Sequence, residues 1–305
     1  MKVLEVSNIS KSFGDFQAVS DISFSIEAGK IFGLLGPNGA GKTTAIRMIM
    51  NIIAPDSGSV SVLGNSNRGT AIDNVGYLPE ERGMYRKMRV DEMLLFQTSL
   101  KSMKKKEAKA AIDKWLGKVN LMDWKKKKVE ELSKGMQQKI QFIGTILHNP
   151  KLLILDEPFG GLDPINQNLI KDLMLEVKKN GTTIIFSTHV MDHAEKICDE
   201  IFLINKSKKI LYGKLEEIKQ SFGRENVLIE FDGNDEFLQN CDQVKKYNNY
   251  GKSVEVQLIK GGDSQELLKE ALSSAFISKF VIKEPSLHDI FIETVGKDKE
   301  EGGKA

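Results

Sequence analysis

The segment Gly36-Pro37-Asn38-Gly39-Ala40-Gly41-Lys42-Thr43-Thr44 does most to narrow what this chain can fold into. It has the spacing G-x-x-x-x-G-K-[ST]. It sits between a continuous apolar run, Ile31 to Leu35, and a helical pattern from about Lys42 to Ile53, in which Ala45, Ile46, Ile49, Ile52 and Ile53 share a face before Pro55. A run that is apolar at every position is buried on both faces, which places it in the middle of a parallel or mixed sheet. The glycines let backbone N–H groups converge on one point, and the helix start adds partial positive charge there. Lys42 brings a full positive charge to neighbouring phosphates, and the Thr43 hydroxyl is placed to ligate Mg²⁺.

Lys151-Leu152-Leu153-Ile154-Leu155-Asp156-Glu157 is a second apolar strand, and it delivers two acids at its carboxyl end. Ligands of open α/β sheets sit outside the carboxyl ends of the strands, so this pair belongs beside the phosphate loop. Asp156 is expected to hold Mg²⁺ through water, because Mg²⁺ dehydrates reluctantly. Glu157 is expected to polarise an attacking water as general base. His189 follows a third buried strand, Thr183 to Phe186, and faces the same edge, where it can contact a terminal phosphate or orient the base. A histidine at a strand end more often caps a helix or packs as a ring, and His148, His193 and His288 take that plain reading. Leu132-Ser133-Lys134-Gly135-Met136-Gln137-Gln138 opens a helix in which Ile140, Ile143 and Leu147 recur at helical spacing. Ser133 is a natural N-cap, and its hydroxyl, the Gly135 N–H and the helix dipole form a second anion site.

Around these motifs the chain has a readable layout. Residues 1–30 alternate in short runs broken at Gly14-Asp15 and Ala28-Gly29, as antiparallel strands do. From Arg86 to Asn149 the pattern is helical, an insertion between two parts of an α/β core. Its Lys125 to Lys128 run reads as a solvated helix end or loop, with contact to anionic lipid or a partner as the alternative. A helix from about Ile165 to Lys179 between the second and third apolar strands sets a β-α-β rhythm, hence parallel strands with a right-handed crossover. The expected domains are an α/β nucleotide-binding domain over 1–215 and a small α+β domain over 216–295, with a flexible polar tail over 296–305. The small domain is read as ferredoxin-like, with strands at Val227 to Phe231, Val254 to Ile259 and Phe280 to Ile282. Its helices are expected at Ser264 to Ser273 and Ser286 to Val295.

Composition removes other classes. No apolar run approaches the ~18 residues that cross a bilayer. Met1 to Val6 alternates like a strand and lacks the apolar core of a signal peptide, so a cytoplasmic protein is expected, one that serves a membrane from its side. Cys198 and Cys241 are the only cysteines, too few for a disulfide framework and without metal-ligand spacing. Net charge is +2 from 44 basic and 42 acidic residues, and only six of the basic ones are Arg, so nucleic acid is not an expected partner.

In their order, these motifs resemble the ATP-binding cassette (ABC) family over residues 1 to about 215. Gly36 to Thr43 is similar to the family's phosphate loop, Leu132 to Gln137 to its signature and Leu152 to Glu157 to its Mg²⁺ and base strand. Gly161-Leu162-Asp163 looks like its D-loop and His189 like its switch histidine. The resemblance implies a P-loop fold with a mixed sheet core and a helical subdomain at about 86–149. It also implies ATP and Mg²⁺, and a head-to-tail dimer with a second copy or a homologous cassette. Each ATP would lie between Gly36 to Thr44 of one copy and Ser133, Gly135 and Met136 of the other, and Asp163 of the D-loop is expected among the nucleotide-binding residues. Phe13, in Lys11-Ser12-Phe13-Gly14, matches the aromatic that stacks on adenine, with Phe16 as a competing candidate.

Two departures from the family pattern carry information. Glu80 stands where a glutamine is usual; its carboxylate can still ligate Mg²⁺, but it adds negative charge near the γ-phosphate. Lys134 and Met136 replace the commoner glycine and glutamine of the signature. Together with Pro79-Glu80-Glu81-Arg82-Gly83 and the segment Pro285 to Phe291, these residues resemble ATP-binding subunits of ABC-2-type exporters, particularly the sodium-extrusion subfamily. That implies an ATPase powering export of a substrate, sodium or a drug, through a separate multi-span ABC-2-type permease from the cytoplasmic face. The other class considered is a soluble ABC ATPase acting as an ATP-gated module on nucleic acid or ribosomes. Such proteins usually carry two cassettes, long coiled coils or basic arms, and this sequence shows one cassette and none of the rest.

Overall fold

The computed structural model describes residues 1–65, 72–81, 83–222, 226–259, 261–283 and 285–301. Arg82 and residues 302–305, both part of the sequence reading, lie outside the described residues. The chain divides into two units, Met1–Gly213 and Lys214–Ala305. In the first, β1 (Lys2–Phe13) and β2 (Phe16–Glu27) form a hairpin about Gly14-Asp15. Then β3 (Ile31–Leu35) leads through the glycine loop into α1 (Lys42–Ile49), followed by β4 (Ser57–Val62) and β5 (Val75–Leu78). Helices α2 (Val90–Ser99), α3 (Lys105–Lys118) and α4 (Lys134–Ile146) come next. The unit closes with β6 (Leu152–Asp156), α5 (Pro164–Lys179), β7 (Thr183–Thr188), α6 (Met191–Ile197), β8 (Glu200–Asn205) and β9 (Lys208–Lys214).

Six strands form a sheet in the order β5-β6-β7-β3-β8-β9, and every pair from β5 to β8 is parallel. Each residue of β3, β6 and β7 is buried, as their unbroken apolar character requires. On one face α1 and the antiparallel sheet β2-β1-β4 close a core in which Ile9, Ile22, Phe24 and Ile46 meet Phe32 and Phe202. The Phe24 ring lies 5.2 Å from Phe32, nearly parallel to it, and 4.9 Å from Phe202. On the other face α4 packs on β5, α5 on β7, and α6 on β3 and β7. Because β6, β7 and β3 are parallel neighbours, their carboxyl ends emerge at one edge, and Asp156 and Leu35 flank the end of β7 at Ser187 and Thr188.

The second unit opens with α7 (Leu215–Ser221), β10 (Asn226–Gly233) and α8 (Glu236–Asn240). It continues through β11 (Val244–Asn249), β12 (Ser253–Leu258), α9 (Ser264–Ser274), β13 (Ala275–Lys283) and α10 (Leu287–Glu301). From β10 to β13 the elements run β-α-β-β-α-β, and the antiparallel sheet order is β11-β12-β10-β13, the ferredoxin-like arrangement. Val227, Ile229, Val254 and Val256 alternate inward to meet Phe237 and Leu267 of the helices.

Several sequence expectations shift here. The helix after the phosphate loop ends at Ile49 instead of Ile53, because Asn51 adopts a left-handed φ of 58° and turns the chain before Pro55. Ile52 is consequently exposed at 55% instead of sharing the buried face. The final helix runs through Glu301, so residues 296–301 are helical where a tail was expected. The Lys125 to Lys128 run is neutralised locally: Lys125 pairs with Asp113, Lys126 with Asp91 at 2.6 Å, Lys127 with Glu131 at 4.0 Å and Lys128 with Glu130 at 3.7 Å. No helix among the described residues is long and apolar enough to cross a membrane.

The packing of the shared core is testable. Phe202→Ala removes a fully buried ring and should cost about 3–5 kcal/mol, read as a lowered urea midpoint, whereas Ile52→Ala at the exposed helix exit should stay within about 0.5 kcal/mol.

Candidate functional site

The loop from β3 to α1 is shaped by what presses on it. A Cβ at Gly36 would stand 2.1 Å from the Ile204 carbonyl oxygen, and one at Gly41 would stand 2.3 Å from that of Ala18, with φ angles of 156° and 109°. Neither position tolerates a side chain. The Gly36 N–H reaches the Thr188 carbonyl at 3.3 Å, and the Ser207 N–H donates to Ala40 O at 3.2 Å, so β7 and the β8–β9 turn brace the loop from both sides. Gly41 caps α1 without a side chain, and the first turn holds no acid. That leaves the helix dipole and the first N–H groups facing an anion site.

Lys42 is buried, and its head folds into this loop. Its Nζ donates to Gly36 O at 2.8 Å and Pro37 O at 3.2 Å and lies 3.4 Å from Glu157 Oε1. Glu157 in turn holds His189, whose Nδ1 is 3.0 Å from the same carboxylate oxygen. Asp156, only 1% exposed, accepts a hydrogen bond from the Ser187 hydroxyl at 2.5 Å. Burial pushes the Asp156 carboxyl above its usual value, opposed by hydrogen bonds from the Ser187 and Thr43 hydroxyls. Its Oδ2 is buried with no hydrogen-bond partner of good geometry.

Two clefts meet at Thr43. One is lined by Phe16, Asn38, Lys42, Glu80 and Glu157; the other, by Arg47, Tyr77, Glu80 and Asp156. The residues fit a hard cation. The orphaned Asp156 Oδ2, the Thr43 hydroxyl and the Glu80 carboxylate supply oxygen donors only, which is what Mg²⁺ takes. No cluster of three or more His, Cys, Asp or Glu able to hold a metal occurs among the described residues.

Thus the fold gathers Gly36 to Thr44, Glu80, Asp156, Glu157 and His189, and leaves the other expected site residues elsewhere. Ser133 caps α4, accepting from the Met136 N–H at 3.3 Å, and Asp163 caps α5, accepting from the Asn166 N–H at 3.0 Å. Those bonds hold the exposed Asp163 carboxyl below its usual value. Gly135 stands beside this corner, since a Cβ there would lie 3.4 Å from Asn166 Nδ2. Neither Ser133, Gly135, Met136 nor Asp163 lines either cleft at Thr43. The aromatic that borders the cleft is Phe16; Phe13, its directly opposed partner across the hairpin, sits instead under the Lys11 ammonium, 5.7 Å from the ring centroid. Ser187, which no motif singled out, touches both acids; a serine following the apolar stretch Ile184 to Phe186 of a buried strand is the available signal. Of the plain histidines, His148 is held down at about 4 by burial beside Val75, and His193 packs on Phe159 at 4.5 Å.

Comparison with known proteins agrees with this geometry. A family model described as "ABC transporter" matches residues 19–160, and one described as "ATP-binding protein DrrA1-3-like, C-terminal domain" matches residues 213–295. The chain is 45% identical over 294 residues to the uncharacterized ABC transporter ATP-binding protein YhaQ of Bacillus subtilis (strain 168), covering 96% of this chain and 99% of that one. It is 29% identical to the Nod factor export ATP-binding protein I of Rhizobium etli, over 98% and 95% of the two chains. A solved structure described as the ATP binding subunit of an ABC transporter superposes with a TM-score of 0.68 at 29% identity, over 72% of this chain and 93% of that one.

The strained carboxylate makes a stability prediction. A carboxyl whose value is raised in the fold favours the protonated form, so stability falls as pH climbs from the unfolded value of 3.8 through the raised one and stays lower above it. Asp156→Asn keeps the acceptor for Ser187 and removes the buried charge. The nucleotide-free variant should melt higher than wild type at pH 7, by about 2–4 °C per kcal/mol relieved, and this gain should shrink toward pH 4. Differential scanning calorimetry of both proteins at the two pH values checks it.

Proposed function

Because this chain belongs to the ABC transporter ATP-binding family, we propose that it is the ATPase subunit of an exporter, and that two copies close head to tail on ATP. The observation that carries this is the contact of Lys42, Glu157 and His189 with one another beside the phosphate loop, with Asp156 lining the adjoining cleft at Thr43. The phosphates of ATP bind the N–H groups of Gly39 and of Gly41 to Thr44, and Lys42 leaves Glu157 for them. That exchange frees the Glu157 carboxylate to take a proton from the water attacking the γ-phosphorus, while the bond to ADP breaks. His189 keeps the carboxylate aligned through the bond it already makes. Thr43, Asp156 and Glu80 would hold Mg²⁺, which when bound neutralises charge on the β- and γ-phosphates.

The dimer reading rests on the family resemblance and on a serine-capped helix start that lines neither cleft at Thr43. Ser133, Gly135 and Met136 open α4 next to Asp163, away from the clefts at Thr43. Placed over the nucleotide of a second copy, they supply its missing side. Closing and reopening would pass to a multi-span ABC-2-type permease through the helical residues 86–149 and the loop from Glu80 to Met88. Export is supported by the Nod factor relative, which is an export ATP-binding protein by name. The subunit then works peripherally, on the cytoplasmic face of the membrane. A cargo of sodium or a drug, and membership of the sodium-extrusion subfamily, rest on Glu80, Lys134, Met136 and the Pro285 to Phe291 segment. An ATP-gated role on nucleic acid is not favoured by a net charge of +2.

Glu157→Gln should lower kcat by about 10²–10⁴-fold and leave ATP affinity intact. In sedimentation velocity it should run as a dimer with ATP, and adding Ser133→Arg should return it to monomer. Wild-type turnover in Glu157→Gln would refute the base assignment, and an ATP-insensitive monomer would refute the closure. Stacking on adenine is worth about 1–3 kcal/mol by comparison with bases on other aromatics. Phe16→Ala and Phe13→Ala should therefore be compared for binding of a fluorescent ATP analogue, with the greater loss expected at Phe16, which borders the cleft.

A further inference from the structure

We infer that Ser187 is a positioning residue that aims both acids of the site, turning Asp156 toward the metal position and holding Glu157 at the edge where the phosphates bind. The inference rests on the ATPase reading above and adds to it a residue that the motifs leave out.

Consecutive residues of a strand point to opposite faces, so Asp156 and Glu157 in a regular β6 would diverge. They do not, because the chain leaves the strand between them. Glu157 adopts a left-handed φ of 47°, a conformation that costs a non-glycine residue about 1–2 kcal/mol and persists only where neighbours enforce it. The enforcing contact is visible. Asp156 is the last residue of β6 in the ladder with β7, opposite Ser187, and the Glu157 N–H donates to the Ser187 hydroxyl at 2.9 Å.

The proton inventory fixes the direction of each bond. A backbone N–H can only donate, so the Ser187 oxygen accepts from Glu157, and its single hydrogen goes to Asp156 Oδ1. That satisfies one carboxylate oxygen and leaves Oδ2 buried without a partner of good geometry, on a residue that lines the second cleft beside Thr43. Two residues further along the same strand end, His189 holds the Glu157 carboxylate at 3.0 Å. The end of β7 therefore grips Glu157 at backbone and side chain, and Ser187 itself is fully buried, reached by no solvent that could replace its hydroxyl.

The test uses the full chain with Ser187→Ala, Ser187→Cys and Ser187→Thr. Fluorescent ATP is titrated in EDTA and again across a Mg²⁺ series, and steady-state kcat and KM are measured. In Ser187→Ala, affinity without Mg²⁺ should stay within about twofold of wild type, while the Mg²⁺ concentration for half effect rises and kcat falls, each by about 10–100-fold, the range typical of groups that orient metal ligands. Ser187→Thr, which keeps the hydroxyl, should recover most of both. Ser187→Cys, close in volume but a weak donor, should behave like Ala and serves as the readout should Ala fold poorly. A folded Ala or Cys variant with wild-type Mg²⁺ response and kcat overturns the inference while leaving the ATPase reading standing. If instead the wild type hydrolyses no ATP, or Glu157→Gln leaves turnover unchanged, the underlying reading fails first.

Discussion

The parallel pairing of β6, β7 and β3 is the constraint on which everything else in this molecule depends. Each strand is buried throughout, and parallel neighbours must emerge at the same edge of the sheet. The acids at the end of β6, the hydroxyl and imidazole at the end of β7 and the glycine loop after β3 are far apart in sequence. Register, together with the left-handed turn at Glu157, sets them within hydrogen-bonding reach. A slip of one residue in the β6–β7 ladder would send Asp156 away from Ser187 and put the neighbouring apolar side chain in its place.

That edge concentrates charge where burial opposes it. Lys42, Asp156 and the Glu157 carboxylate are all largely shielded from water, and removing charges from water is costly unless they are matched. Lys42 and Glu157 match each other across 3.4 Å, and two loop carbonyls complete the lysine. Asp156 is matched on one oxygen only, with its carboxyl displaced upward by burial. In the proposed reaction an incoming polyphosphate breaks the Lys42–Glu157 pair, and Asp156 would lend an oxygen to Mg²⁺. Stability given up at such atoms is recovered in the aromatic and aliphatic core on the other side of the sheet.

The parts of the site legible in the chain were those whose chemistry demands a fixed local spacing. A glycine loop entering a helix, two acids closing an apolar strand and a serine opening a helix each announce themselves within ten residues. Phe16 against Phe13 could not be decided that way, because the two are opposed across one tight turn and only the lie of the hairpin selects which borders the cleft. Strand β11, whose sequence is Val-Lys-Lys-Tyr-Asn-Asn, is an edge strand with few buried positions, so it lacks the apolar run that betrays central strands. The end of α1 departs from its periodicity because the apolar period continues past Asn51, where a left-handed residue, invisible to periodicity, turns the chain.

By itself the sequence determined the phosphate loop, the order of buried strands and helices, and the kinds of groups available for chemistry, since these follow from residue type and from periods of 2 and 3.6 residues. Only the tertiary structure decided that Asp156 and Glu157 converge instead of diverging, that Ser187 joins them, and that the Ser133 helix start lies apart from the loop it resembles in chemistry. The reason is physical: which face a side chain meets is set by ladder register and by single backbone angles, and neither leaves a trace in local composition.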